Sequence, residues 1–208
     1  MKKTMAEKTQ IRKTYHCYYE GLQEEKYFKR LKELIETNWP NVKITFYKVA
    51  KLNTLVHDTT SVKKIAVFDY DSDPSNFEEK VKMCTKANIQ VLYSNLNFDL
   101  WLLWHKKKFN SKVDYNNDYQ DEIRKVYHLQ NSKTKKDNIK EEKNIEHILK
   151  QITINEIQTA IVNAKEVMSQ KNKTDNKKVN SKFSYYPNPA TNIHEFIEEL
   201  MKKTGIHF

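Results

Sequence analysis

Three aspartates stand at alternate positions in Asp69-Tyr70-Asp71-Ser72-Asp73, directly after the apolar run Ile65-Ala66-Val67-Phe68 and just before Pro74. An all-apolar tetrapeptide suits a central strand buried on both faces of a parallel sheet. Side chains two apart on an extended chain point the same way, so Asp69 and Asp71 are expected to project together from the strand's carboxyl end. Open α/β sheets bind their ligands at that end. Two carboxylates held side by side repel each other unless they are protonated or neutralised, and a hard divalent cation with oxygen ligands neutralises them. Asp73 would stand further out, in support. The plainer alternative is that Asp-rich turns after strands cap helices and stabilise turns.

Two further stretches fall where parallel strands would end. In Glu20-Gly21-Leu22-Gln23-Glu24 the glutamates are four apart, so a helix that starts at or just after Gly21 lets both face one site. A helix N-terminus also tolerates such carboxylates electrostatically. The stretch Ser94-Asn95-Leu96-Asn97-Phe98-Asp99 offers a hydroxyl, amides and a carboxylate. Glu20, Glu24, Asp69, Asp71 and Asp99, with Ser94 and Asn95 in support, make an all-oxygen set. Such ligands select Mg²⁺ or Mn²⁺ over zinc, which favours His and Cys. One or two such metals activate water and stabilise both oxygens of an in-line phosphoryl displacement.

The elements that must gather these stretches are readable in outline. Thr14 to Tyr19 reads as a strand and Glu24 to Thr37 as a helix with Tyr27, Phe28, Leu31, Leu34 and Ile35 on one face. Val42 to Val49 alternates as a strand, and residues 50 to 62 read as a polar loop. After the central strand Ile65 to Phe68, Ser75-Asn76-Phe77-Glu78 fits a capping box for a helix reaching about Ala87. Ile89 to Tyr93 is a strand, Ser94 to Asn97 a turn and Phe98 to His105 an apolar helix. Strand–helix alternation gives an α/β fold with a mainly parallel sheet flanked by helices.

Beyond residue 105 the pattern becomes helical and polar. Asp121 to Leu129 reads as a short helix, Ile145 to Met168 as helix with a break near Thr153, and Asn192 to Lys203 as a last helix capped by Thr191. The chain divides into a basic N-terminal arm (1–12), an α/β core (13–110) and a helical C-terminal extension packing on it (111–208). Mobile segments are expected near 131–143 and 171–182.

Charge narrows the function. Lys and Arg number 37 against 27 Asp and Glu, a net +10, which favours a polyanionic partner, nucleic acid first. AT-biased coding also enriches Lys and Asn, so charge alone does not decide this. Only 2 glycines are present, too few for a P-loop or a dinucleotide fingerprint. Nothing in the sequence resembles a membrane anchor or a signal peptide. Cys17 and Cys84 form neither a ligand spacing nor a disulfide framework, which points to the cytoplasm. Lys106, Lys107 and Lys108, next to the apolar helix, could bind phosphates or form a solvated face. His105 could support the site or act as a dipole partner at a helix C-terminus.

The runs Glu20-Gly21-x-x-Glu24 with Tyr27-Phe28, Val67-Phe68-Asp69-Tyr70-Asp71, Ser94-Asn95-x-x-Phe98-Asp99-Leu100-Trp101-Leu102-Leu103-x-His105 and Asn188-Pro189-Ala190-Thr191-x-Ile193 together resemble the RloB-like family over residues 12 to 203. The resemblance implies a Toprim fold and a metal-dependent nuclease of antiphage defence, encoded beside an ABC-type ATPase. It places Glu20 and Glu24 on the Toprim glutamate region and Asp69 and Asp71 on its Asp-x-Asp. It also implies a late lysine entering the site to stabilise transition-state charge, for which Lys182 is the candidate. The basic stretch Lys171 to Lys182 otherwise reads as a flexible linker or, more sharply, as phosphate contacts through Lys177 and Lys178 to DNA or RNA (transfer RNA included). The chain departs from the family at Leu96, where proline is common, and at Asp99, where glutamate is common. Asp99 keeps the charge on a shorter arm. The contrasting reading is a catalytically silent Toprim scaffold that binds an ATPase or nucleic acid.

Overall fold

The computed structural model describes residues 10–70, 73–112, 116–129, 139–175 and 188–206. Its centre is a sheet of order β2-β1-β3-β4-β5, built from β1 (Ile11–Tyr19), β2 (Val42–Lys48), β3 (Lys63–Asp69), β4 (Gln90–Asn95) and β5 (Ala190–Thr191). The first four strands run parallel, and β5 pairs antiparallel with β4 through Ser94–Thr191 and Asn95–Ala190. The fold is α/β and Toprim-like.

The apolar run behaves as its composition requires. Ile65, Ala66, Val67 and Phe68 are all buried, and alternate residues enter opposite layers. Ile65 and Val67 face the larger layer, which contains α1 (Leu22–Asn38), α4 (Asp99–Trp104) and α8 (Ile193–Lys203). Ala66 and Phe68 face α2 (Leu52–Val56) and α3 (Pro74–Lys86) in the smaller layer. Asp69 continues the parity of Ile65 and Val67, which aims its carboxylate at the larger layer.

Several expectations change. Residues 50–62 are not all loop, because Leu52, Leu55 and Val56 at helical spacing fold α2 and bury Leu55 completely. Helix α3 is capped by Asp73, whose Oδ1 accepts from the Asn76 amide at 3.2 Å, with Pro74 in the first turn, and not by the Ser75 box. The short helix α5 (Asn116–Val126) begins earlier than expected. The long C-terminal helix is indeed two, α6 (Glu142–Lys150) and α7 (Ile154–Asp175), broken around Thr153.

The hydrophobic cluster on the larger layer runs across residue 110 without a seam. Phe196 of α8 meets Tyr15, Phe28 and Phe46, and Leu100 to Trp104 are fully enclosed between β5, α5 and α7. A helix that is apolar all round has to be covered on every side, and the C-terminal helices do this. Within the expected mobile stretches, 131–138 and 176–182 lie outside the described residues, whereas Ile139 is fully buried and anchors the turn before α6. Helix α8 starts at Ile193 with Asn192, and not Thr191, at the N-cap position; Thr191 belongs to β5, and its hydroxyl accepts from the Ile193 amide at 3.2 Å.

Candidate active site

Glu20 and Asp69 leave adjacent strand ends, since Tyr19 of β1 is in register with Val67 of β3. The Glu20 Oε2 accepts from the Asp69 amide at 3.2 Å, and its Oε1 accepts from the Lys80 ammonium at 2.5 Å. The Asp69 carboxylate turns inward, where its Oδ1 accepts from the Phe98 amide at 2.9 Å. Its Oδ2 lies 3.8 Å from the Lys140 ammonium. Asp69 is thus tied to all three strand ends: to β1 through Glu20, to its own β3, and to the turn after β4.

Gly21 lets the second glutamate in. Its backbone is extended (φ −129°), which any residue can adopt, but an added Cβ would sit 2.6 Å from the Glu24 Oε2. With no Cβ there, the first turn of α1 folds Glu24 back over Gly21 into the protein, where it is 3% exposed and its Oε2 has no hydrogen-bond partner. Burial pushes the Glu24 carboxyl up to about 7; Glu20 and Asp99 add to this, and Lys140 opposes it. Asp99 is fully buried at the start of α4. Its Oδ1 accepts from Gln23 Nε2 at 3.0 Å, its Oδ2 has no hydrogen-bond partner, and burial raises it to about 6 against the pull of Lys140 and Gln23.

A cleft of about 210 Å³ opens among Glu20, Gly21, Gln23, Glu24, Asp69 and Lys140. Its donors are carboxylate oxygens, one of them a buried orphan, and that chemistry fits a hard divalent cation. Glu20, Glu24 and Asp69 would hold such an ion. Asp99 does not line the cleft; it sits behind Gln23, so its shorter arm leaves it acting on the site through charge and through Gln23. Among the described residues no group of three His, Cys, Asp or Glu side chains is gathered at metal-binding distance. The Lys80 and Lys140 ammonium groups supply the positive charge beside Glu20 and Asp69.

The other expected site residues are distributed as follows. Asp71, Lys177, Lys178 and Lys182 lie outside the described residues. Asp73 is the α3 cap and is exposed. Ser94 is buried, in register with Asp69, and donates to the Thr191 hydroxyl at 3.1 Å. Asn95 is buried, and its carbonyl accepts from the Tyr119 hydroxyl at 2.9 Å. His105 is not a cationic dipole partner. It is fully buried, with Nδ1 2.8 Å from the Trp101 carbonyl and Nε2 3.1 Å from the Tyr27 hydroxyl, and burial lowers its pKa to about 4. The pairing fixes a neutral ring that donates through Nδ1 and accepts at Nε2.

Lys106, Lys107 and Lys108 lie at the other end of α4 from Asp99, and each meets a carboxylate of the C-terminal helices. Lys106 reaches Glu156 at 3.1 Å, Lys107 reaches Glu122 at 2.6 Å and Lys108 reaches Glu166 at 2.7 Å. Three residues that the sequence did not single out, Gln23, Lys80 and Lys140, belong to the site instead. Gln23 falls inside the Glu20–Glu24 run, a signal that could have been used; Lys80 and Lys140 carry no local signature.

An α/β protein whose mainly parallel Toprim-like sheet gathers carboxylates at its strand ends is the class that this geometry defines. The chain belongs to the RloB-like protein family, whose family model matches residues 17–200. Comparison with curated proteins and with solved structures finds no match. No helix among the described residues is long and apolar enough to cross a membrane.

Proposed function

We propose that this protein is a metal-dependent nuclease that hydrolyses phosphodiester bonds of DNA or RNA in antiphage defence, acting with an ABC-type ATPase and using Mg²⁺ or Mn²⁺. The observation that carries the reading is the pairing of two orphaned, buried carboxylate oxygens, on Glu24 and Asp99, with Glu20 and Asp69 at neighbouring strand ends. A fold spends stability to bury unpaired carboxylates, and a site that needs their charge explains why.

When bound, a divalent cation would supply Lewis-acid stabilisation of the phosphate oxygens and a water acidic enough to attack at neutral pH. The chain's own residues do the rest. The Phe98 amide orients Asp69, and the Asp69 amide orients Glu20. Gly21 leaves room for the Glu24 carboxylate. Lys140 stands where it can meet negative charge developing on a phosphate, the part assigned from the sequence to Lys182.

The absence of a converged ligand trio among the described residues favours one second reading, a Toprim scaffold that binds an ATPase or nucleic acid without cutting. Cleavage of labelled plasmid, single-stranded DNA and total transfer RNA, with Mg²⁺, Mn²⁺ or EDTA and with or without the neighbouring ATPase, separates the two. Metal-dependent cutting by the wild type that is lost in Asp69→Asn supports the nuclease. No cutting under any condition, with ATPase binding retained, supports the scaffold.

A further inference from the structure

A second groove opens along the same helix pair that walls the carboxylate cleft. Leu22 to Glu24 of α1 and Ile145 of α6 border the cleft. The groove follows on, between Lys26, Lys29, Arg30 and Glu33 of α1 and Glu146 and Lys150 of α6, with a volume of about 320 Å³. The two helices run side by side in the same sense: Lys26 reaches Glu142 at 2.6 Å and Glu146 at 2.8 Å, and Arg30 donates to the Ile152 carbonyl at 3.2 Å. Six residues of helix separate Glu24 from Arg30, about 9 Å along the axis. The groove therefore lies about one to two turns further along the same two helices, beyond the Lys26 bridges to Glu142 and Glu146.

Its charge is positive, with four cations to two acids. Both acids are already engaged, Glu146 with Lys26 and Glu33 with Arg30 at 3.8 Å. Lys29 and Lys150 are exposed and have no side-chain hydrogen bond or ion pair among the described residues; both act on Glu146 only at a distance. Among the described residues, Lys80, Lys140, Lys48 and Lys26 are instead paired with carboxylates, of Glu20, Asp69, Glu25 and Glu142. Lys29 and Lys150 both line the groove, on the same helix pair that walls the cleft, where a polyanion leaving the cleft along α1 and α6 would meet them.

We propose that this groove carries the sugar–phosphate backbone of a nucleic-acid strand away from the carboxylate cleft, with Lys29 and Lys150 as its phosphate contacts. The proposal rests on the nuclease reading above and assigns its substrate path. An acidic peptide would meet the same charge, but a nucleic-acid strand is the polyanion that the adjoining phosphodiesterase site requires.

The test is binding of short fluorescein-labelled single-stranded DNA and RNA to the full chain in EDTA across a salt series, followed by anisotropy. Lys29→Glu and Lys150→Glu, singly and together, would be compared with Lys202→Glu on α8, which changes the net charge as much as either single reversal. The single reversals should weaken binding about tenfold, and the double reversal should reduce the slope of log affinity against log salt by about 1.4, or ~0.7 per lost phosphate contact. Lys202→Glu should change neither, and melting temperatures should confirm that all variants fold. Binding that matches wild type in the double variant overturns the groove while leaving the nuclease reading intact if wild type still cuts. Equal competition by poly-glutamate also overturns it. A wild type that neither binds nor cuts any nucleic acid overturns both readings together.

Discussion

The two ends of helix α4 treat charge in opposite ways. At its N-terminal end Asp99 is fully buried with one carboxylate oxygen unpartnered, next to the similarly orphaned Glu24 and the inward-turned Asp69. At its C-terminal end both nitrogens of His105 have partners and each of Lys106, Lys107 and Lys108 has a carboxylate. Six residues of helix separate Asp99 from His105, so local sequence does not cause the difference. The N-terminal end meets the strand ends, where unmet oxygens can serve a ligand, and the C-terminal end meets other helices, where every polar group must be satisfied by the fold.

The largest effect should come from the N-terminal side. Asp69→Asn keeps an oxygen for the Phe98 amide, and Glu20→Gln keeps one for the Asp69 amide, so both variants should melt within a few degrees of wild type. Metal-dependent cleavage should fall by more than about a hundredfold in each. Full activity in Asp69→Asn would falsify the assignment of that end to chemistry. Gly21→Ala should come next. Its extended backbone accepts alanine, but the new Cβ would displace the Glu24 carboxylate from 2.6 Å away, so roughly ten- to a hundredfold of activity should be lost with little change in stability.

Asp99→Asn sharpens the comparison, because it should stabilise the protein. Burial raises the Asp99 carboxyl from 3.8 to about 6, so the folded state binds more protons than the unfolded state between those values. Stability contributed by this group is present below about pH 4 and is lost as pH rises through 6. At pH 8, without metal, the asparagine variant should therefore gain on the order of 2 kcal/mol in a denaturant melt. His105 titrates in the opposite sense. Its pKa falls from 6.5 to about 4, so the unfolded state binds the extra proton and stability is lost as pH falls from 6.5 towards 4, by roughly 3 kcal/mol at most. His105→Gln should flatten that acid limb, and an unchanged limb would mean that the ring is not buried and neutral.

The same contrast explains what could be read from the sequence. The central strand was legible because four buried apolar residues admit few other placements, and Glu20, Glu24 and Asp69 followed from strand ends and helical spacing. The helical spacing in α2 covers one turn within a polar stretch and is easily read as loop, and the two-residue β5 is too short to leave a period; its pairing with β4 is flanked by the Asn192 side chain, which meets the Tyr93 amide and the Val91 carbonyl at 2.8 Å each. Lys80 and Lys140 reach the site from helices and turns distant in sequence, and only the packed tertiary fold reveals them. His105 reads as a cation from its position at a helix end, but complete burial reverses that. The lysine block reads as a solvated face or a phosphate site, whereas its carboxylate partners lie 15 to 58 residues further along the chain.

The smallest effects should come from that lysine block, and they differ within it. Lys107 and Lys108 are about half exposed (side chains 49% and 51%) in their pairs with Glu122 and Glu166, so alanine at either should cost less than about 1 kcal/mol. Lys106 is more covered: it donates to the Gln151 carbonyl as well as to Glu156, and its ammonium lies 5.8 Å from the centre of the Tyr127 ring. Lys106→Ala should therefore be the most destabilising of the three, because it leaves a carbonyl, a carboxylate and a ring face without their cation. Nucleic-acid affinity should stay within about twofold of wild type in all three variants, since each lysine already has a carboxylate at hydrogen-bond distance and would have to give it up to take a phosphate. A tenfold loss of affinity in Lys108→Ala, the most exposed of the three, would show that the C-terminal end of α4 also serves the substrate and that its satisfied charges are not a purely structural device.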